Sequence, residues 1–170
     1  MTTEPILFNG DLKQDAPYAW MSISSPSPIK MTHACIGNPL GEYEYETAVQ
    51  AIMHIKAVLM GDEETAAAII AQGAAPKECK RLGRSVSPWN EELWQQHVCN
   101  VAYAVLMAKF TQDELLRVHL ISTGYALLVQ TDPRDTQWAV GLTDNKAKAS
   151  QRWRGKNLLG NTLMRVRIAL

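Results

Sequence analysis

The sequence has no excess charge of either sign: Lys and Arg together number 17, and so do Asp and Glu. That balance supplies no global field to draw in nucleic acid or an anionic membrane, so any anion contact must come from a local patch. Cysteine is scarce and odd in number. Cys35, Cys79 and Cys99 are scattered and form no C-x-x-C pair. This argues against a disulfide framework and fits reduced thiols in a cytoplasmic protein. The four histidines, His33, His54, His97 and His119, show no metal-ligand spacing. No apolar run reaches the roughly 18 residues of a membrane span, and no secretory leader opens the chain. A soluble, cytoplasmic protein with no membrane partner is the expectation. There is no internal repeat, no low-complexity segment and no sign of a second domain. A chain of 170 residues can bury about 70% of its unfolded surface, so a single domain over residues 1–170 is expected.

What is present begins with short apolar runs. Residues 1–4 read as a loose tail. Ile6-Leu7-Phe8 ends at Asn9-Gly10, a turn signal. Residues 11–17 are polar and read as flexible. Residues 18–23 read as a strand, broken by Ser24-Ser25-Pro26-Ser27-Pro28. Residues 29–31 and 34–36 read as further short strands. The first forty residues thus predict a small β element with many loops.

Helical patterning follows. From Glu46 the run ETAVQAIMHIKAVLM is apolar on nearly every face, the mark of a buried helix. Glu46, Gln50 and His54 fall at i, i+4 and i+8 and share one face. Glu46, placed in the first turn, either stabilises its own helix through the dipole or projects into a cleft as a general acid/base or hydroxyl acceptor. Residues 62–72 predict an alanine-rich helix ended by Gly73. Residues 76–82 predict a short helix with Pro76 in its first turn and Gly83 at its end. Lys77, Lys80, Arg81 and Arg84 make that region basic, as a solvated face or a phosphate contact. Ser87 as N-cap and Pro88 at N1 open the longest helix. Residues 98–110 of it are almost wholly apolar except Lys109, which must snorkel out or meet an anion. Residues 112–121 form another amphipathic helix, stopped by Thr123-Gly124.

Residues 123–141, TGYALLVQTDPRDTQWAVG, organise the rest. They predict a strand at 126–129 and a turn at 132–135. An Asp, an Arg and a Trp on a compact turn suit a flat, polar ligand. Equally, Asp135 can cap the turn and Trp138 can fill core. Residues 143–152 are polar and read as a loop. In the last helix Asn157, Asn161 and Arg165 share one row, while Leu158, Leu159, Leu163 and Val166 form an apolar face. Asn157 lies near its start, where backbone N–H groups can receive a phosphate or carboxylate.

Taken in order, these pieces resemble the NADAR, or YbiA-like, family over nearly the whole chain. The carrying motifs are Trp20-x-Ser22, Pro26-Ser27-Pro28-Ile29, Tyr45-Glu46-xxx-Gln50, the basic stretch 76–84, Trp89, Ala108-Lys109-Phe110, residues 120–124, and Asp135-xx-Trp138-xx-Gly141. The most specific is Trp153-x-Gly155-Lys156-Asn157-Leu158-Leu159-Gly160-xxx-Met164-x-Val166-Arg167.

The resemblance implies a mainly α (α+β) fold, one multihelical domain with a small β portion. It implies an N-glycosidase that hydrolyses the C1–N bond of a ribose-phosphate or ADP-ribose derivative. The substrate would be a riboflavin-pathway intermediate or ADP-ribosylated guanine, with ADP-ribosylated nucleic acid as a further candidate partner. No cofactor or metal is implied. Cleaving such a bond develops positive charge on the ribose, which a carboxylate stabilises while a second acid protonates the leaving base. By motif matching Glu46 and Asp135 are the catalytic carboxylates. Trp20, Ser22, Gln50, Arg84, Trp89, Lys109, Trp138 and Asn157 are the substrate-binding candidates. The chain departs from the family pattern at Ile23-Ser24, where relatives usually read Asn-Phe, and at Gln130, where they usually carry Glu. It also departs at Ala139, in place of a Gly, and at Met53, in place of a Lys. The alternative reading is a catalytically divergent module that binds a nucleotide or ADP-ribose without cleaving it.

Overall fold

The computed structural model describes residues 4–10, 16–73, 75–150 and 152–170. Most of the loose tail expected at 1–4 and of the flexible segment expected at 11–17 lies outside the described residues. The fold is mainly helical, with seven α-helices and four short strands among the described residues. The chain forms two compact units: Pro26–Gln112, and the residues up to Ser25 together with Asp113–Leu170. No helix among the described residues is long and apolar enough to cross a membrane.

The unit Pro26–Gln112 starts with an antiparallel hairpin. Strand β2 (Pro26–His33) pairs with β3 (Asn38–Thr47), with Ile29 opposite Tyr45 and Met31 opposite Tyr43. Helix α1 (Ala48–Met60) follows β3 without a loop. Thr47 ends the strand in extended geometry (φ −146°), and its hydroxyl accepts the Gln50 N–H at 3.2 Å. It therefore caps the helix. Glu46, expected in the first helical turn, is instead the second-last residue of β3. Gly61, at φ 76°, closes α1. Asp62 then caps α2 (Glu63–Ala71) through the Thr65 N–H.

Helix α3 (Pro76–Ser85) runs through Gly83 rather than stopping there. A Cβ at Gly83 would lie 2.1 Å from Met53 Sδ, so this glycine allows α1 and α3 to pack closely. The long helix α4 (Glu91–Gln112) starts later than Ser87 and Pro88 suggest. Asn90 supplies its cap to Leu93 N–H, and the Ser87 N–H is taken by Asp62 Oδ2 at 2.8 Å. Ile29, Ile52, Ile55, Ile69, Val101, Val105, Leu106 and Phe110 are fully or almost fully buried in this unit, each worth roughly 1.5–3 kcal/mol of burial.

In the other unit, β1 (Ile6–Phe8) runs parallel to β4 (Leu128–Gln130), with Phe8 opposite Gln130. The strand expected at 18–23 is a single 3-10 turn, Ala19–Met21, entered through Tyr18 in the left-handed region (φ 65°). Serine hydroxyls explain it. Ser25 Oγ donates to the Ser22 and Trp20 carbonyls, and Ser22 Oγ accepts the Ser24 N–H. Such local bonds offer the backbone an alternative to a ladder. Ala34–Ile36, in the hairpin unit, is likewise a 3-10 turn, closed by Gly37 at φ 80°.

Helix α5 (Glu114–Ser122) is capped by Asp113. The polar stretch expected as a loop carries the short helix α6 (Asp144–Ala149). It folds because Ala147 is buried in a cluster with Val129, Val140, Leu142, Leu7 and Trp153. The Trp153 indole also donates to the Ala147 carbonyl at 3.3 Å. Helix α7 (Leu158–Ala169) ends the chain, with Leu159, Leu163 and Val166 fully buried.

Candidate functional site

The site candidates fall in both units. Trp20, Ser22, Asp135, Trp138 and Asn157 belong to the unit of β1 and β4. Glu46, Gln50, Arg84, Trp89 and Lys109 belong to the unit of the hairpin.

Asp135 and Trp138 follow the carboxyl end of β4. Asp135 Oδ1 accepts the backbone N–H groups of Gln137 at 2.9 Å and Trp138 at 2.8 Å. One carboxylate oxygen thus orders the turn that presents Trp138, which is half-buried. Asp132 does the same one turn earlier. It accepts the Arg134 N–H at 2.8 Å and the Arg134 guanidinium at 3.1 Å.

The C-terminal motif holds this loop from behind. The carbonyls of Thr136, Ala139 and Val140 accept N–H groups from Lys156, Asn157 and Gly155. A Cβ at Gly155 would lie 2.1 Å from the Ala139 carbonyl oxygen, and one at Gly160 would lie 2.1 Å from that of Leu128. No other residue fits either place. Asn157 sits at φ 52°, a left-handed conformation that asparagine tolerates. Its Oδ1 accepts the Gln130 N–H at 3.0 Å, and its Nδ2 donates to the Leu128 carbonyl at 2.9 Å. The side chain thereby pairs with β4 as one more strand would. The opening of α7 expected to receive a phosphate is filled, because the Leu158 and Leu159 N–H groups bond the Gln137 and Trp138 carbonyls.

Ser22, Gly10 and Gln130 lie together. Ser22 Oγ donates to the Gly10 carbonyl at 3.1 Å, and a Cβ on Gly10 would lie 2.9 Å from Gln130 Nε2. Gln130 is buried, and its Oε1 has no hydrogen-bond partner. Trp20 is half-buried, its ring 5.7 Å from that of His119.

In the hairpin unit Gln50 is fully employed. Its Oε1 accepts the Glu46 N–H at 2.9 Å, and its Nε2 reaches the Ile69 and Ile70 carbonyls at the end of α2. It fixes the backbone that carries Glu46. Glu46 itself is exposed. Its carboxylate lies against Gly73, where a Cβ would come within 3.0 Å of Oε1. It has no hydrogen-bond or ion-pair partner among the described residues. Gln50 is thus structural toward Glu46, and the Glu46 carboxylate remains open to chemistry.

Trp89 is held by Lys56. Lys56 Nζ sits 4.3 Å from the Trp89 ring centroid and 5.6 Å from that of Trp94, and it donates to the Gly83 carbonyl at 2.6 Å. Burial pushes its pKa down, with the Glu91 charge opposing. The Trp89 indole donates to Glu91 Oε2. Arg84 is exposed in the last turn of α3. Lys109 is wholly buried, its Nζ 5.4 Å from the Phe110 ring, so it does not snorkel to solvent.

A second arrangement escaped sequence reasoning. His33 Nε2 and His54 Nδ1 flank the Tyr45 hydroxyl at 2.7 and 2.8 Å. Tyr43 stacks on His33 at 4.3 Å. All three groups of the chain are buried. Burial, and then the charge of His33, pushes His54 down to about 4. Burial also lowers His33 and raises the Tyr45 hydroxyl. The result is a neutral hydrogen-bonded chain. The alternation of Tyr43 and Tyr45 was visible in the sequence. Their meeting with His54 was not, because it depends on a strand running directly into a helix.

With this geometry in hand, comparison with known proteins gives consistent matches. The NADAR domain profile matches residues 8–170. N-glycosidase R617 of Acanthamoeba polyphaga mimivirus is 36% identical over 128 residues, 73% of this chain and 74% of that protein. Protein irg-1 of Caenorhabditis elegans is 35% identical over 128 residues, 73% of this chain and 60% of its own length. N-glycosidase YbiA of Shigella flexneri serotype 5b is 33% identical over 94 residues, 55% of this chain and 53% of that protein. The NMR structure of the E. coli protein YbiA superposes with a TM-score of 0.72 at 24% identity, covering 99% of this chain and 86% of that one. That likeness carries the fold.

Proposed function

The chain belongs to the NADAR domain family, and from that premise we propose that it is an N-glycosidase hydrolysing the C1–N bond of a ribose-phosphate or ADP-ribose derivative. The observation that carries the reading is that two of these relatives, of viral and bacterial origin, are named N-glycosidases. The substrate classes are a phosphorylated riboflavin-pathway ribosylamine and ADP-ribosylated guanine, free or in nucleic acid.

The residues support a division of labour. Glu46 is an exposed carboxylate on a backbone pinned by Gln50, a placement suited to stabilising positive charge on a ribose ring or orienting water. Asp135 uses one oxygen on its own turn, so its part is to position Trp138 and to offer its other oxygen. Trp89 and Trp138 supply flat apolar surface for a base or ribose. Gln130 favours the second reading, a module that binds without cleaving. It puts a neutral amide, its oxygen without a hydrogen-bond partner, where the family pattern carries an acid.

The test is release of sugar. Wild type and Glu46→Gln are incubated with a riboflavin-pathway ribosylamine phosphate and with ADP-ribosylated guanine DNA, and free ribose phosphate or ADP-ribose is quantified by mass spectrometry. Release by wild type, lost at least 100-fold in the variant, is expected. Absence of release from both substrates, alongside measurable ADP-ribose binding, moves the assignment to the binding module.

A further inference from the structure

The buried chain His33–Tyr45–His54 joins three elements. His33 ends β2, Tyr45 lies on β3 and His54 lies on α1. One hydrogen bond links His33 Nε2 to the Tyr45 hydroxyl at 2.7 Å, and a second links that hydroxyl to His54 Nδ1 at 2.8 Å. Together they tie the hairpin to the helix. The chemistry proposed for Glu46 uses neither.

The number of protons decides the direction of the chain. Each hydrogen bond needs one proton between its two atoms. Two neutral imidazoles and a phenol bring one proton apiece. Two of these three fill the links. The third must sit at an end of the chain, on His33 Nδ1 or on His54 Nε2. His33 is wholly buried, and its Nδ1 has no hydrogen-bond partner. A stranded N–H is rarer in native structures than a stranded acceptor, so the end proton lies on His54 Nε2. His33 Nε2–H therefore donates to the Tyr45 oxygen, and the Tyr45 O–H donates to His54 Nδ1. While both links stay closed, a fourth proton has one place left, His33 Nδ1, whichever imidazole carries the charge. There it makes a dry N–H donor.

Nothing nearby offsets that charge. Tyr43 stacks on His33 at 4.3 Å and stands edge-on to His54 at 4.9 Å. Cys35, in the turn between the strands, acts on Tyr45. Burial and then His33 account for the shift of His54, and burial alone for that of His33. No carboxylate among the described residues of the strands or of α2, α3 and α4 contributes to either.

We propose that this chain is an acid-operated latch: with three protons it clamps the hairpin to α1, and a fourth proton parts Tyr45 from a histidine and opens the junction to water. Glu46, the next residue of β3, is the first to lose its fixed backbone. The latch is independent of the glycosidase reading.

The experiment is NMR of the full chain at neutral pH and below the His54 pKa of about 4. At neutral pH the ring nitrogen shifts should show both imidazoles as Nε2–H, with His33 Nδ1 bare. In acid, exchange protection of the Glu46 and Gln50 amides, which pin β3 to α1, should fall at least 10-fold while α7 keeps its protection. Tyr45→Phe cuts both links, so its junction should show no such step. The proposal is overturned by a His33 Nδ1–H at neutral pH, or by junction protection that survives protonation of the chain. It is equally overturned by a loss of the same size in α7, or by a folded Tyr45→Phe protein that keeps the wild-type step. If Tyr45→Phe fails to fold, the wild-type tautomers and exchange decide alone.

Discussion

Replacing Asn157 by alanine separates a structural role from a ligand-binding one. The side chain is 2% exposed and spends its whole amide on β4. Alanine strands the Gln130 N–H and the Leu128 carbonyl in a dry interior, at roughly 1–3 kcal/mol each. It also places a Cβ-bearing residue without a local hydrogen bond at φ 52°, for about 1 kcal/mol more. The sum is about 5 kcal/mol, a large share of the roughly 5–15 kcal/mol that holds a typical domain. For a chain of this size that is a fall in Tm of roughly 10–20 °C. Asn157→Gly relieves the backbone strain but loses the same two bonds, so it should recover only about 1 kcal/mol. Asn157→Asp keeps the acceptor for Gln130 and sets a repelling oxygen against Leu128, so it should do no better than alanine. Thermal and urea unfolding followed by circular dichroism measure all three. The reasoning is refuted if Asn157→Ala unfolds within 1 kcal/mol of wild type while KM rises sharply, since the amide would then be serving a ligand.

Three further outcomes follow from the same geometry. Gly155→Ala and Gly160→Ala force a Cβ to 2.1 Å from a backbone carbonyl, beyond the usual overpacking cost of about 1–3 kcal/mol. Both should lower Tm by more than about 6 °C, and a smaller loss in either would show that the loop can slide away. His54 sits near 4 in the folded chain against 6.5 when free. As pH falls below about 6.5 the unfolded state takes up that proton first, so stability declines between about 6.5 and 4 and then levels. The loss is on the order of 3 kcal/mol. His54→Leu should flatten that slope in a Tm-against-pH series, and parallel slopes would contradict the assignment. Lys56→Met removes the cation over Trp89 and the bond to Gly83. It should cost about 1–3 kcal/mol and increase acrylamide quenching of tryptophan fluorescence, with unchanged quenching counting against a role in holding Trp89.

Helices were the legible part of the fold because their signals are local. The helix at residues 62–72, Pro76 and the apolar row of α7 are each read from a few neighbouring residues. The failures at the helices share a cause: a contact distant in sequence overrode a local signal. Gly83 looks like a helix stop and is a packing contact with Met53. Ser87 looks like a cap, but its N–H belongs to Asp62. Residues 143–152 look too polar to fold, yet Ala147 and Trp153 join a buried cluster and produce a short helix. Glu46 was singled out on its shared face with Gln50. That pairing exists, but it runs from a Gln50 side chain to the Glu46 backbone across a strand–helix junction, which no single periodicity describes.

The same logic bears on what the resemblance can say about chemistry. Its most specific motif, residues 153–167, is a set of packing constraints: Gly155 under the Ala139 carbonyl, Gly160 under that of Leu128, and Asn157 bonded to both ends of β4. A motif of that kind identifies the scaffold with high specificity because few residues fit it. It constrains the substrate only through the loop it braces, where Asp135 sets Trp138. We propose that choice of substrate rests on side chains outside that motif, Glu46 and Trp89 in one unit and Trp20 in the other. Substitutions there should therefore move KM and product identity at nearly constant Tm, whereas substitutions in residues 153–167 should move Tm first and activity only as a consequence. A variant at Gly155 or Gly160 that kept its Tm and lost turnover would break this separation.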